Sequence, residues 1–296
     1  LLGARNVCAA ERYVSDLDDS GDALNKAVEA GKKQFVGFEL PGRTLGVIGL
    51  GAIGVQVANA ALDLGMNVVG FDPAITVRRA WQLSSGVSHA ETLDQLFQHA
   101  DAISCHVPLL DATRGLVNAE RLSLLNDGAT LINLARGGVV DDAAALAALD
   151  SGKLHAYVSD FPTRELMDHP KVVALPHLGA STAEAEQNCA VMVADNVKDF
   201  LENGNIRFSV NFPECRMPRA DAYRLTIANA NVPNMVGQIS THLADAGLNI
   251  EDLLNKSVGN LAYTIVDVND PITADLENTL RSIEGVLRVR NLGKPH

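Results

Sequence analysis

The chain has 296 residues, with 24 Lys and Arg against 36 Asp and Glu and a formal net charge of −12 at pH 7. That acidity argues against a general nucleic-acid surface, which needs a basic face, and no apolar run approaches the about 20 residues that cross a bilayer. The 47% hydrophobic content suffices for about two domains with cores of their own, and four scattered cysteines without Cys-x-x-Cys or zinc-like spacing suggest a reduced, cytoplasmic, metal-free protein.

The chain opens Leu1-Leu2-Gly3-Ala4-Arg5, without Met and without a basic-then-apolar leader pattern. This start reads as the end of a helix whose beginning is absent, so a missing N-terminal segment is expected. Residues 6–43 are mixed and weakly periodic; 22–33 suggest a short helix with Asp22 as N-cap and Gly31 near its end, and Pro41-Gly42 a turn. From Thr44 the character changes. The apolar runs 44–50, 66–72, 101–107, 129–135, 153–160 and 171–175 read as strands buried on both faces. Between them, 52–65, 92–100, 118–125 and 142–152 carry helical spacing. Alternating strands and helices with short connections predict an α/β fold, a Rossmann-type doubly wound parallel sheet.

Residues 181–204 predict a long amphipathic helix, with Ser181 and Glu184 as a capping box and Gly204 after its end. Residues 205–220, with two prolines and little periodicity, read as a linker. Beyond it the expected order is strand 223–230, helix 234–247, strands 248–257 and 260–268 around a glycine turn, helix 272–285 and strand 286–292. That βαββαβ order is a small α+β domain of ferredoxin-like type.

Gly49-Leu-Gly51-Ala-Ile-Gly54 follows one predicted strand and opens a predicted helix. Such glycines allow a tight turn, approach of backbone to a pyrophosphate, and close helix–strand packing, while helix N-terminal amides receive the phosphate charge. Asp72 ends the next strand about 20 residues on, where a carboxylate accepts from ribose hydroxyls; it favours NAD over NADP, although Arg78 and Arg79 follow it. The bland reading is a glycine turn that merely packs. Arg136, at the end of another strand, suits a substrate carboxylate through its planar fork, or is a surface arginine near a helix start. His177 follows the last apolar strand and reads as a proton carrier or as a structural imidazole. Asp160 and Glu165 close the preceding strand, and a carboxylate beside His177 would raise its pKa and fix its tautomer. His106, before Pro108, reads as wall rather than catalyst; His89, His99, His155, His169, His242 and His296 read as solvated or packing residues.

Six ordered blocks over residues 36–183 (GVIGLGAIG, GFDP, HVPLLDATRGLVN, LINLARGGVVD, SDFPTRE and ALPHLGAST) resemble the successive signatures of the D-isomer-specific 2-hydroxyacid dehydrogenase family. The C-terminal βαββαβ segment resembles an ACT regulatory domain. The resemblance implies NAD-dependent oxidation of a small hydroxyacid, first D-3-phosphoglycerate to 3-phosphohydroxypyruvate at the entry to L-serine biosynthesis. The alternatives are a glycerate, lactate or glyoxylate dehydrogenase, or a non-catalytic NAD-binding regulator. By motif, Arg136 anchors the substrate carboxylate, His177 is the acid/base and Glu165 pairs with it. NAD contacts fall to Gly49, Gly51, Ala52, Ile53, Gly54 and Asp72. They extend to His106, Val107, Pro108 and Thr113, then to Leu134, Ala135, Arg136, Asp160, His177, Gly179 and Ala180. The family usually reads Asp-x-Phe-x-x-Glu-Pro where this chain has Asp160-Phe-Pro-Thr-Arg-Glu165-Leu. An L-serine effector is implied at Asn229, Asn231 and Asn249, although an Asn-rich turn also stabilises its own backbone. The implied organisation is an N-terminal remnant 1–35, an NAD-binding domain 36–183, a return helix and linker 184–220, and an ACT-like domain 221–296, in a homo-oligomer with no metal, nucleic-acid or membrane partner.

Overall fold

In the parallel sheet predicted above, each strand should bury both faces, and in the computed structural model, which describes residues 1–295, this is what the first strand, β1 (Thr44–Ile48), does. His296 lies outside the described residues. The chain divides into two compact units, Leu1–Gly179 and Ala180–His296.

The first unit begins with helices α1 (Leu2–Arg5), α2 (Val7–Ser15) and α3 (Gly21–Gly31). Asn6 breaks α1 from α2 with a left-handed backbone, φ 50°. Ser20, not Asp22, occupies the N-cap of α3, and Asp22 lies in its first turn. The nine-residue α2 was not expected; none of its residues is fully buried, and Cys8, Ala9, Ala10 and Tyr13 are half-buried.

Next come β1 (Thr44–Ile48), α4 (Ala52–Asp63), β2 (Asn67–Phe71), α5 (Val77–Ala80), β3 (Val87–His89), α6 (Leu93–His99), β4 (Ala102–Cys105) and α7 (Ala119–Leu124). They are followed by β5 (Ala129–Asn133), α8 (Asp142–Asp150), β6 (Leu154–Ser159), α9 (Arg164–Met167) and β7 (Val172–Ala174). All seven strands are parallel, in the order β3-β2-β1-β4-β5-β6-β7. Side chains alternate across β1. Leu45 and Val47 pack with Val55, Ala58 and Ala61 of α4, while Ile48 joins Leu96, Phe97, Ile103, Leu131 and Leu149 on the other face. Thr92, Asn118 and Asp141 cap α6, α7 and α8 through side-chain acceptors. The order reverses between β1 and β4, the crevice where open α/β sheets bind ligands.

The second unit begins with α10 (Ala183–Asn203), which buries no residue. Its cap corrects the expected Ser181/Glu184 box: Thr182 accepts from the Ala185 amide at 3.0 Å, because the helix starts one residue later than the sequence suggested. Gly204 ends it at φ 72°. Then follow β8 (Tyr223–Ala230), α11 (Met235–Asp245), β9 (Ile250–Val258), β10 (Leu261–Val268), α12 (Ala274–Ser282) and β11 (Val286–Gly293). The antiparallel sheet runs β11-β8-β10-β9, as a βαββαβ chain predicts. One face packs Leu225, Ile227 and Val266 against Met235, Ile239 and Leu280 of the two helices. The opposite face is covered by residues expected to be linker. Ile206, Cys215 and Met217 are buried against Tyr263 and Ile265, and Ile206 and Cys215 exchange backbone hydrogen bonds. Arg224, fully buried, fastens this arm. Its five donors reach both oxygens of Asp267 (2.7 Å each) and the carbonyls of Asn203 (3.0 Å), Met217 (3.0 Å) and Pro218 (2.7 Å).

Among the described residues no helix is long and apolar enough to cross a membrane.

Candidate active site

Six of the expected site residues of the first unit stand one to three positions past strand ends. Gly49 follows β1, Asp72 follows β2, His106 follows β4, Arg136 is third after β5, Asp160 follows β6 and His177 is third after β7. Parallel strands place all these ends at one edge of the sheet.

The glycine loop is locked into that edge. Gly49 sits at φ 92°, where a side chain would also press on the His106 carbonyl at 2.9 Å. A Cβ on Gly54 would collide with the Gly49 carbonyl oxygen, so helix and loop touch through backbone. Gly51 differs. Its φ of −73° suits any residue and nothing lies within 4 Å of where its Cβ would be. The fold does not require glycine there; the open space suits a group brought up against the backbone. Beside it, the first-turn amides of α4 lack intrahelical acceptors and carry the positive end of the helix dipole. Ala52 and Ile53 are exposed in that first turn.

Asp72 is already engaged. One carboxylate oxygen accepts from the Leu50 amide (2.8 Å), the other from the Ala74 amide (2.9 Å). These bonds aim the carboxylate, and each oxygen keeps a lone pair for a hydroxyl. Across the switch point, His106 bonds Ser104 Oγ at 2.8 Å, and burial pushes its pKa down to about 4, so the ring is neutral. Its backbone amide reaches the Ile48 carbonyl at 2.8 Å. Thr113 secures the loop after Pro108 by donating to the Pro108 carbonyl (2.6 Å) and accepting from the Leu110 amide (2.8 Å).

Arg136 is exposed on a turn clasped by a residue that spacing did not single out. Asn133, 1% exposed at the end of β5, donates to the Arg136 carbonyl (2.9 Å) and accepts from the Ala135 amide (3.2 Å). Asn two residues before an amide it can bind is an Asx-turn signal, legible in the sequence if sought. Leu134 is exposed on the same turn. Phe161 was also missed: it lies 3.6 Å from where a Gly137 Cβ would be and its ring centroid is 4.9 Å from that of His177. Phe161 thus packs on the histidine and lies beside the arginine turn.

Asp160 is 8% exposed and its Oδ1 is buried without a hydrogen-bond partner. Such an orphan acceptor is costly, and an amide donor from a ligand would satisfy it. Glu165 is not joined to His177 by any hydrogen bond or ion pair. It lies on α9, exposed, where its charge acts on Asp142, which burial, then Asp141, and finally Glu165 push above the usual carboxylate range against a Thr163 hydrogen bond. Gly179 closes the first unit and Ala180 opens the second. The open space at Gly51, the helix terminus and the orphaned Asp160 together fit a dinucleotide.

A profile described as the D-isomer specific 2-hydroxyacid dehydrogenase, NAD binding domain, matches residues 4–179. The chain belongs to that family. Its matched region is the family's NAD-binding domain, an oxidoreductase domain, and covers all but the first three residues of the first unit. The chain is 40% identical over 194 residues to D-3-phosphoglycerate dehydrogenase of Bacillus subtilis, covering 64% of this chain and 36% of the relative. With the enzyme of the same name from Haemophilus influenzae it shares 34% identity, over 86% of this chain and 64% of the relative. The chain therefore spans between about a third and two thirds of these relatives' length. Among solved structures, D-lactate dehydrogenase from Aquifex aeolicus, complexed with NAD and lactic acid, superposes with a TM-score of 0.54. It is 29% identical and covers 67% of this chain and 62% of its own.

In the second unit, Asn229 and Asn231 line a cavity of about 150 Å³. Asn229 is 1% exposed; its amide donates to the Ala230 carbonyl (2.7 Å) while its Oδ1 is buried and unpartnered. Asn231 donates to the Gly259 carbonyl at 3.0 Å. Asn249 does not join them. It precedes β9 at the end of the sheet where Ile250 pairs with Val268, whereas Asn229 pairs with Ala262 at the other end. Asn255, which spacing missed, lines the cavity instead and donates to Thr264 Oγ1 at 2.7 Å.

Proposed function

We propose that this chain contributes the NAD-binding and acid–base part of an enzyme that oxidises D-3-phosphoglycerate to 3-phosphohydroxypyruvate, the first step of L-serine biosynthesis. The choice of phosphoglycerate among hydroxyacids follows the relatives' names. The observation that carries the chemistry is the common sheet edge, where His177, packed on the Phe161 ring, and Arg136 both follow strand ends beside the glycine loop.

NAD, when bound, supplies the acceptor for the hydride leaving the substrate C2. Arg136 orients the substrate carboxylate bidentately. An imidazole nitrogen of His177 takes the proton of the C2 hydroxyl, and Phe161 holds the ring in place. Glu165 is the carboxylate assigned to stabilise the imidazolium, although no hydrogen bond joins it to His177. Asp72 orients the adenosine ribose, and Asp160 accepts from an amide of the cofactor. The neutral His106, with Val107 and Pro108, forms an apolar wall that excludes water. In this reading the second unit is regulatory and takes L-serine through Asn229 and Asn231, in a cytosolic homo-oligomer.

The test is an NADH-absorbance assay with D-3-phosphoglycerate, glycerate, lactate and glyoxylate, with and without L-serine. The proposal expects strong preference for the phosphorylated acid and inhibition by serine. Equal turnover of an unphosphorylated acid would reassign the substrate, and NAD binding without oxidation of any acid would make the chain a sensor.

A further inference from the structure

We infer that the second unit holds a further ligand site, for an amphipathic anion with an apolar body and a carboxylate head. A cavity of about 500 Å³ lies between α10, the 205–217 arm and the sheet face turned from α11 and α12. That volume falls within the roughly 300–1,000 Å³ of small-molecule sites. It shares no lining residue with the asparagine cavity.

Phe200 and Phe212, with Ile206 and Tyr263, make its walls apolar. On its floor, Thr226 is 1% exposed and its hydroxyl lies beside that of Tyr263, which donates to the Gly204 carbonyl at 2.8 Å.

The charge at the lining is one-sided. Arg207, Arg288 and Arg290 line the cavity, with no Asp or Glu among the lining residues, in a chain whose net charge is −12. Asp199, just outside, is 3.0 Å from Arg207. Arg290 is held over the Phe200 ring at 4.4 Å and donates to the carbonyls of Phe200 and Leu201 (3.0 Å each), which leaves its charge uncancelled by any anion there. Apolar walls alone would take a neutral ligand and arginines alone a bare anion. Their juxtaposition selects a molecule with both parts, an aliphatic or aryl carboxylate.

Titration calorimetry of the 296-residue chain with octanoate, 1-octanol and acetate tests this. Octanoate is expected to bind saturably at one site, with octanol and acetate at least about tenfold weaker, the scale of one charge-assisted hydrogen bond. Arg288→Glu, at an exposed position, should weaken octanoate about tenfold and leave octanol unchanged. Ala228→Phe, which fills the cavity, should remove both, with a melting curve confirming that each variant folds. The inference is overturned if octanoate does not saturate, if it binds no tighter than octanol, or if Arg288→Glu leaves it unaffected. It is overturned equally if the face proves to bury a second copy, seen as a dimer that Arg288→Glu dissolves while octanoate does not bind.

Discussion

Replacing Asp267 by asparagine should loosen the second unit far more than the loss of one surface ion pair, usually about 0–1 kcal/mol. Arg224 is 0% and Asp267 1% exposed, and the carboxylate takes two of the five guanidinium donors at 2.7 Å each. Asparagine keeps one acceptor and turns an NH₂ toward the other donor, leaving a buried cation without its counter-charge, a change that costs about 3–5 kcal/mol. Since about 1.4 kcal/mol is a factor of ten, amides of β8 and β10 should exchange with deuterium roughly 10² to 10³ times faster. Native-state hydrogen exchange read by mass spectrometry resolves those peptides from β1, in the other unit, which should not change. The double variant Arg224→Met/Asp267→Leu should recover only part of the loss. The three carbonyls that Arg224 also serves would be stranded, at about 1–3 kcal/mol for each that stays buried. Exchange within tenfold of the parent chain in Asp267→Asn, or full recovery in the double variant, would refute this account of the cluster.

Gly51→Ala should melt within a few degrees of the parent yet bind NADH at least about tenfold more weakly by fluorescence titration, since the Cβ enters open space at the pyrophosphate approach. Gly49→Ala, forced to φ 92°, should instead destabilise by about 1–3 kcal/mol in urea unfolding. His177→Ala should lower kcat by roughly 10²–10⁴ with NADH affinity nearly intact; near-parental turnover would remove it from the chemistry. Acid should cost stability through His106. The folded imidazole titrates at about 4 and the unfolded one at 6.5, so its contribution is complete above 6.5 and falls away between 6.5 and 4. At about 1.4 kcal/mol per pH unit that is on the order of 3 kcal/mol, measurable as a pH-dependent unfolding midpoint that His106→Gln flattens.

The elements that a sequence displays well are those whose burial repeats. β1, β4 and β5 are continuous apolar runs because both faces are covered, and α4 follows a glycine loop that spacing exposes. β3 is three residues long with only Val87 partly buried, and α9 is a single turn, so neither carries a readable period. The 205–217 arm was misread because its buried residues, Ile206, Cys215 and Met217, stand singly among polar and proline positions; tertiary contact buries them. Arg136, Asp160 and His177 stand out in the sequence because each comes one to three residues after an apolar run. Asn133 is readable only through its Asx-turn spacing, and Phe161 not at all, since it meets His177 through a contact between distant loops. Glu165 was expected to meet His177, but a one-turn helix sets it against Asp142. Asn249 was assigned by sequence motif to a cavity that lies at the far end of its own sheet.

The sheet edge that gathers Gly49, Asp72, His106, Arg136, Asp160 and His177 also sets the candidate site apart from the strand ladder. Each of these residues lies just beyond the ladder, while the anchors, such as Asn133 and Ser104, sit within the last rung. A loop such as 108–115 can therefore change in sequence without disturbing a single strand pairing.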